Sequence, residues 1–278
     1  MDSDILGSSS TRLAMSKVPE VTVYFWIIKI LATTVGETAA DYVNMTLGLG
    51  LQSTTVVAVI LLVVTLVAQF TSTRYLPALY WWTVLLVSVT GTLITDNLTD
   101  NLGVPLMATT IVFALALVAV FATWYAFERT LSIHSIRTGR REAFYWLAIL
   151  TTFALGTASG DLVAEKLALG YLTSLIIFTV VIAVVTAAHY LFKLNMVVAF
   201  WAAYVVTRPL GASLGDLLTQ PRDDGGLGLS TTATNLVFLA VMVLLVGYLS
   251  LTKIDRLEQR DVSHASHNST GPAPADPR

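Results

Sequence analysis

The sequence predicts an all-α integral membrane protein. Eight transmembrane helices form four tandem helical hairpins in a two-fold duplicated pair, with the odd helices as a pseudo-symmetric inner core. Three observations carry that prediction. The 278-residue chain is 55% hydrophobic and only 12% charged, whereas an ordinary soluble domain carries about 25% charged residues. Its mean hydropathy is +0.73, and its apolar stretches have lengths near the ~20 residues that cross a bilayer. Finally, one pattern occurs four times: an aromatic–Trp pair, Gly ten residues after the Trp, and Asp five further on.

The copies are Phe25-Trp26, Gly36, Asp41; Tyr80-Trp81, Gly91, Asp96; Tyr145-Trp146, Gly156, Asp161; and Phe200-Trp201, Gly211, Asp216. The Trp-to-Trp steps are 55, 65 and 55 residues, so the first two copies recur 120 residues later in register. Self-similarity at a fixed period marks a repeat architecture. It sets four carboxylates at equivalent points of four helices.

Taken in order, residues 1–20 are Ser-rich and polar and read as a disordered N-terminal arm, with no cleavable signal. The first half, 21–127, holds apolar segments at 21–45, 53–70, 79–99 and 106–127. A charged linker follows at 128–142. The second half, 143–251, holds segments at 143–165, 171–192, 196–219 and 231–251. Residues 252–278 are a polar tail of disordered character. The even segments at 53–70, 106–127 and 171–192 are nearly all Val, Leu, Ile, Ala and Thr, which suits helices facing lipid. The outer loop at 221–226 lacks the length and closing Glu of an EF-hand and reads as a turn.

Eight spans put both termini, the loops near 74 and 193 and the 128–142 linker on one side, with 12 of the 16 Lys and Arg residues. The positive-inside rule makes that side cytoplasmic. The aromatic–Trp pairs then mark the cytoplasmic ends of the odd spans, where they read as interfacial anchors. Fifteen residues at 1.5 Å each set every Asp ~22 Å along its helix, past the midplane. All four odd spans run the same way, so the repeats are parallel rather than inverted.

Glu37 lies four residues before Asp41, on the same helical face, and Lys29 two turns before Glu37. Together with Arg208 these give five acids and two cations at membrane depth. Each isolated charge there costs at least ~2.5–3.5 kcal/mol. Pairing both cations leaves three negative charges, which only protons or a bound cation can offset. An inter-helix hydrogen-bond network is the alternative use of the same groups. Hard oxygen ligands, with no Cys in the chain, suit Mn²⁺, Mg²⁺ or Ca²⁺, and no organic cofactor is implied. Thr33, Thr34, Thr38, Asn44, Thr92, Ser159 and Ser213 could add oxygens. Asp100, Glu165 and Gln220 follow the second to fourth Asp residues nearer the outer surface. Gly36, Gly91, Gly156 and Gly211 permit either close helix packing or local unwinding, and Pro209 favours unwinding in the fourth repeat. His189 reads as a packed or interfacial residue, and His264 and His267 as solvated ones.

The stretches VPEVTVYFWIIKILATTVGETAADYVN, GTLITDNLTDNLGVPL, REAFYWLAILTTFALGTASGDLVAE and TRPLGASLGDLLTQP resemble a family of bacterial multi-pass proteins known as membrane-anchored proteins, over about residues 18–250. More distantly, the chain is similar to cation/proton exchangers with Glu-x-Gly-Asp motifs in repeated helices. Its own Ser159-Gly160-Asp161 and Leu214-Gly215-Asp216 lack the preceding acid. Neither resemblance implies catalytic residues.

The expectation is a secondary transporter of a cation, a divalent metal such as Mn²⁺, coupled to protons. Asp41, Asp96, Asp161, Asp216 and Glu37 are the ligands and proton acceptors, and Lys29 and Arg208 the counter-charges. A scaffold or sensor subunit with a structural polar core is the alternative. An enzyme is not expected, since no nucleophile or His cluster is present. The partners are the bilayer and a small cation, with homo-oligomers left open; a net charge of −2 gives nothing for nucleic acid.

Overall fold

Eight helices, each long and apolar enough to cross a membrane, run through residues 16–255, the part of the chain described by this computed structural model. They are α1 (Val23–Asp41), α2 (Leu51–Thr71), α3 (Pro77–Asp96), α4 (Leu106–Glu128), α5 (Gly139–Asp161), α6 (Tyr171–Phe192), α7 (Met196–Thr219) and α8 (Thr231–Thr252). The molecule is a multi-pass membrane protein of helices alone among its described residues. Local chemistry sets the boundaries. Thr22, Thr138 and Asn195 cap α1, α5 and α7 with their side-chain oxygens, and Pro77 opens α3. Arg129, Lys193 and Lys253 end α4, α6 and α8 in the left-handed conformation. A cation there also offsets the negative end of the helix dipole.

Two layers result. The windows of the odd helices are 56–72% buried and those of the even helices 0–28%. The odd helices form a closed ring, α1 on α3, α3 on α5, α5 on α7 and α7 on α1. The even helices cover it, their Val, Leu and Ile side chains exposed as lipid contact demands. Successive segments are joined as hairpins, yet each outer helix packs chiefly on the inner helix of the next repeat: α2 on α3, α4 on α5, α6 on α7 and α8 back on α1. The repeats are therefore interlocked rather than merely stacked.

Two kinds of contact pass around this ring in register. A Cβ on Gly36 would lie 1.9 Å from Ser88, one on Gly91 2.7 Å from Phe153, one on Gly156 2.2 Å from Arg208 and one on Gly211 1.9 Å from Thr33. Each repeated glycine thus receives the residue three places before the glycine of the next repeat. These glycines lie in unbroken helix, and α7 runs through Pro209. The unwinding expected there does not occur; the glycines serve close packing. The backbone loosens further on. A turn of π-helix follows the Asp in the first three repeats, at Tyr42–Thr46, Asn97–Asn101 and Leu162–Lys166. Bonds from Leu47 N to Tyr42 O, Leu102 N to Asn97 O and Leu167 N to Leu162 O close these turns.

The second ring is aromatic. Phe25 meets Trp81 (5.5 Å between centroids), Tyr80 meets Trp146 (5.6 Å), Tyr145 meets Trp201 (6.2 Å) and Phe200 meets Trp26 (5.8 Å). Tyr80 and Tyr145 also share a hydroxyl–hydroxyl bond. All but Trp26 are buried, so the interfacial-anchor expectation is corrected. The rings close the helix bundle on the side of the termini: within each pair they meet edge to face, and each pair packs on that of the next repeat.

The same face is strapped from outside. The arm expected over 1–20 is packed from residue 16. Lys17 pairs with buried Glu142 at 2.7 Å and donates to Phe70 O at 2.9 Å, and Glu20 N donates to Asp255 O at 2.9 Å. Tyr75 donates to Asp255 at 2.6 Å; burial and that carboxylate hold its phenol well above the usual range. In the linker, Glu128 takes ion pairs from Arg140 and Arg141. The remainder of the predicted arm and tail lies outside the described residues. Arg222–Asp224 is a single turn of 3₁₀-helix, as the loop sequence implied.

Candidate cation site

The site is built one turn beyond the glycine crossings. Position Gly+1 of the repeats holds Glu37, Thr92, Thr157 and Ala212. Arg208, itself three residues before Gly211, reaches across the ring to the first three. Its Nη2 donates to Glu37 Oε2 at 2.5 Å, to Thr157 Oγ1 at 2.7 Å and to Thr92 Oγ1. Thr92 also donates to Glu37 Oε2 at 3.1 Å. Arg208 is 0% exposed and Glu37 5%. Close packing at Gly156 gives the arginine its path, since Arg208 Cγ occupies the space a Cβ would fill. Two N–H groups on Nη2 are shared among three oxygens, while Nε and Nη1 are buried without a protein partner.

Four residues past Gly+1 come the aspartates. One oxygen each from Glu37, Asp161 and Asp216 lies within 4.8 Å of the others. Oxygens on opposite sides of one Ca²⁺ stand about 5 Å apart, so a single hard cation can bridge this group with little movement. Asp216 is 6% exposed and Asp161 partly exposed. The quartet expected from the repeats is therefore split. Asp161 and Asp216 join Glu37, while Asp41 and Asp96 are not members of the three-acid group. Both remain within electrostatic reach of Glu37. Asp100 and Glu165 lie beyond them, exposed, and Tyr171 donates to Glu165 at 3.3 Å.

Lys29 does something other than balance the acids. It is 0% exposed, and its ammonium donates to Tyr204 O at 3.0 Å and to Thr207 Oγ1. It stands 3.9 Å from the centre of the Tyr204 ring and 5.4 Å from that of Phe153. Among the described residues it makes no ion pair, so its counter-charge role is corrected. Two turns of helix separate it from Glu37, and carbonyl and ring faces solvate it instead.

Of the candidate oxygens, Thr92 is bound to the arginine and the glutamate. Thr34 turns back on its own helix, Thr38 bonds both Thr34 O and Asn235 Oδ1 of α8, and Thr33 bonds Ile30 O and reaches Thr207 O. Ser159 bonds Gly156 O, and Ser213 is buried without a protein partner. Sequence reasoning missed Thr157 and the coupling of Thr92 to Arg208. The signal was present in the aligned Gly+1 column, where an acid and two hydroxyls share one register.

A family model built on this repeat matches residues 24–75, 79–130, 144–195 and 199–255. The chain belongs to the DUF347 family, a repeat of unknown function. The four DUF347 repeats each open at an aromatic–Trp pair, so the family's unit coincides with one inner helix and the outer helix that follows it. No curated protein and no solved structure matches the chain.

Proposed function

We propose that the protein is a secondary transporter of a divalent cation, exchanged for protons across a bacterial inner membrane with both termini in the cytoplasm. One observation carries this reading: three carboxylates from three inner helices converge at membrane depth, with a single arginine against them. Asp161 and Asp216 carry two formal charges beyond the Glu37–Arg208 pair, and one divalent cation or two protons offset both. Carboxylates must be ionised to bind a metal, so binding displaces protons and exchange follows from linkage. Asp41 and Asp96 serve as proton acceptors on the path towards the exposed Asp100 and Glu165. Exposure rises from Glu37 outward, and the aromatic layer is closed behind it. That gradient supports a state facing the side opposite the termini.

The site performs no covalent chemistry in this reading. The test is a pair of measurements on purified protein. Reconstituted in liposomes, it is expected to move Mn²⁺ against an imposed proton gradient; in detergent, Mn²⁺ should raise the melting temperature. A ligand at 100 Kd adds about 2.7 kcal/mol to stability. Failure of both, with Asp161→Asn plus Asp216→Asn unchanged from wild type, sinks the proposal. A structural polar core is the second reading, favoured by the way Arg208 ties α7 to α1, α3 and α5. It predicts no metal response and a large loss of stability on removing the arginine.

A further inference from the structure

A cavity of about 520 Å³ lies between α1, α6 and α7 on the side of the termini, roofed by linker residues 131–134 and separate from the carboxylates. It forms where the interlocked cover parts. α6 lies on α7 and α8 on α1 and α3, and no α8 residue lines the space. Its walls are apolar: Trp26 and Ile30 from α1, Ile182 from α6, Phe200 and Ala203 from α7. Most of its polar groups gather at the end of the bundle that carries the termini. His134 is in the linker roof, and His189 stands in the last turn of α6, its Nδ1 tied to Leu194 O at 2.8 Å. Arg137 and Lys193 do not line the cavity; they follow His134 and His189 by three and four residues, are exposed, and make no ion pair among the described residues. Thr207, the acceptor of Lys29, lines the cavity too.

We propose that this cavity binds an anionic phospholipid of the leaflet on the side of the termini. Its acyl chain lies along Trp26, Ile182 and Phe200, and its phosphate lies among His134, His189, Arg137 and Lys193. The chemistry of the two ends decides the class. An apolar trough among helices of a membrane protein accepts a hydrocarbon chain, and basic pockets on the positive side of a membrane take anionic headgroups. A neutral lipid would leave the basic end unmatched, and a free phosphate would leave the trough bare.

Trp26 provides the readout. The full chain is reconstituted in vesicles containing brominated phosphatidylglycerol or brominated phosphatidylcholine at equal mole fraction. The Trp26 signal is taken as wild type minus Trp26→Phe. The phosphatidylglycerol vesicles are expected to quench it at least twofold more. Ala203→Phe, which fills the trough, and Arg137→Ala with Lys193→Ala, which strips the basic end, should each abolish the difference while circular dichroism stays unchanged. Inorganic phosphate added to the phosphatidylcholine vesicles should have no effect. Equal quenching by both lipids, displacement of the brominated lipid by free phosphate, or a preference that survives in both folded variants overturns the proposal. If Ala203→Phe fails to fold, the surface double variant alone decides.

Discussion

Arg208 and Lys29 are both fully buried cations, and they are opposite cases. Arg208 holds Glu37 in a buried ion pair, and removing one partner of such a pair costs about 3–5 kcal/mol. Arg208→Met is therefore expected to destabilise by that order in a denaturation assay. Lys29 pairs with no acid among the described residues, so its burial carries a desolvation cost without a Coulombic partner, which an apolar side chain of similar length removes. Lys29→Met should keep or raise the melting temperature. The acids divide likewise. Asp161→Asn, Asp216→Asn and Glu37→Gln are each expected to abolish the Mn²⁺-induced shift, whereas Asp41→Asn and Asp96→Asn weaken it. Each displaced proton makes apparent affinity fall about tenfold per pH unit of acidification once the ligand is protonated. Titrating the shift between pH 8 and 6 reads that slope.

At the scale of the helix, the repeated glycines decide how closely the inner ring can close. A methyl at Gly36, Gly156 or Gly211 would overlap a neighbouring side chain at 1.9–2.2 Å, and overpacking of a filled interior costs about 1–3 kcal/mol. Gly36→Ala and Gly211→Ala are expected to lower stability by at least that much. Gly160 faces Pro209 at 3.6 Å and Gly247 faces nothing within 4 Å. Gly160→Ala should be tolerated. Gly247→Ala, in the interior of α8, should stabilise by about 0.5–1 kcal/mol. The four substitutions form one thermal-melt series in which the ring glycines separate from the rest.

Across the whole molecule, the aromatic ring and the strap of residues 16–20 seal the same face. Glu142 is fully buried, and Lys17 is its ion-pair partner. Lys17→Met leaves that carboxylate unpaired in the interior and is expected to cost about 3–5 kcal/mol. Protease accessibility of the 128–142 linker should rise in the same variant, because the ion pair to Glu142 is the side-chain tie that holds the strap against the linker. A Trp201→Ala change removes a ring that packs on Tyr145, Phe200 and Tyr204. Its expected cost is about 3–5 kcal/mol. If the seal is what isolates the carboxylates from the side of the termini, reconstituted Trp201→Ala should also leak protons that the wild type retains.

Eight spans, four repeats, and which helices lie inside were all legible from the sequence. Apolar length reports membrane crossing, and a residue type recurring at one period reports an equivalent position in each unit. What the period could not encode is the direction each position faces across the ring. Equivalent aspartates share one register, yet only Asp161 and Asp216 come within 4.8 Å of Glu37, an acid with no acidic counterpart in the other repeats. The Trp residues looked like interface anchors because hydropathy cannot distinguish a ring at the lipid boundary from one packed on the next repeat. Interlocking of the hairpins depends on contacts between units, and those exist only once the chain has closed on itself.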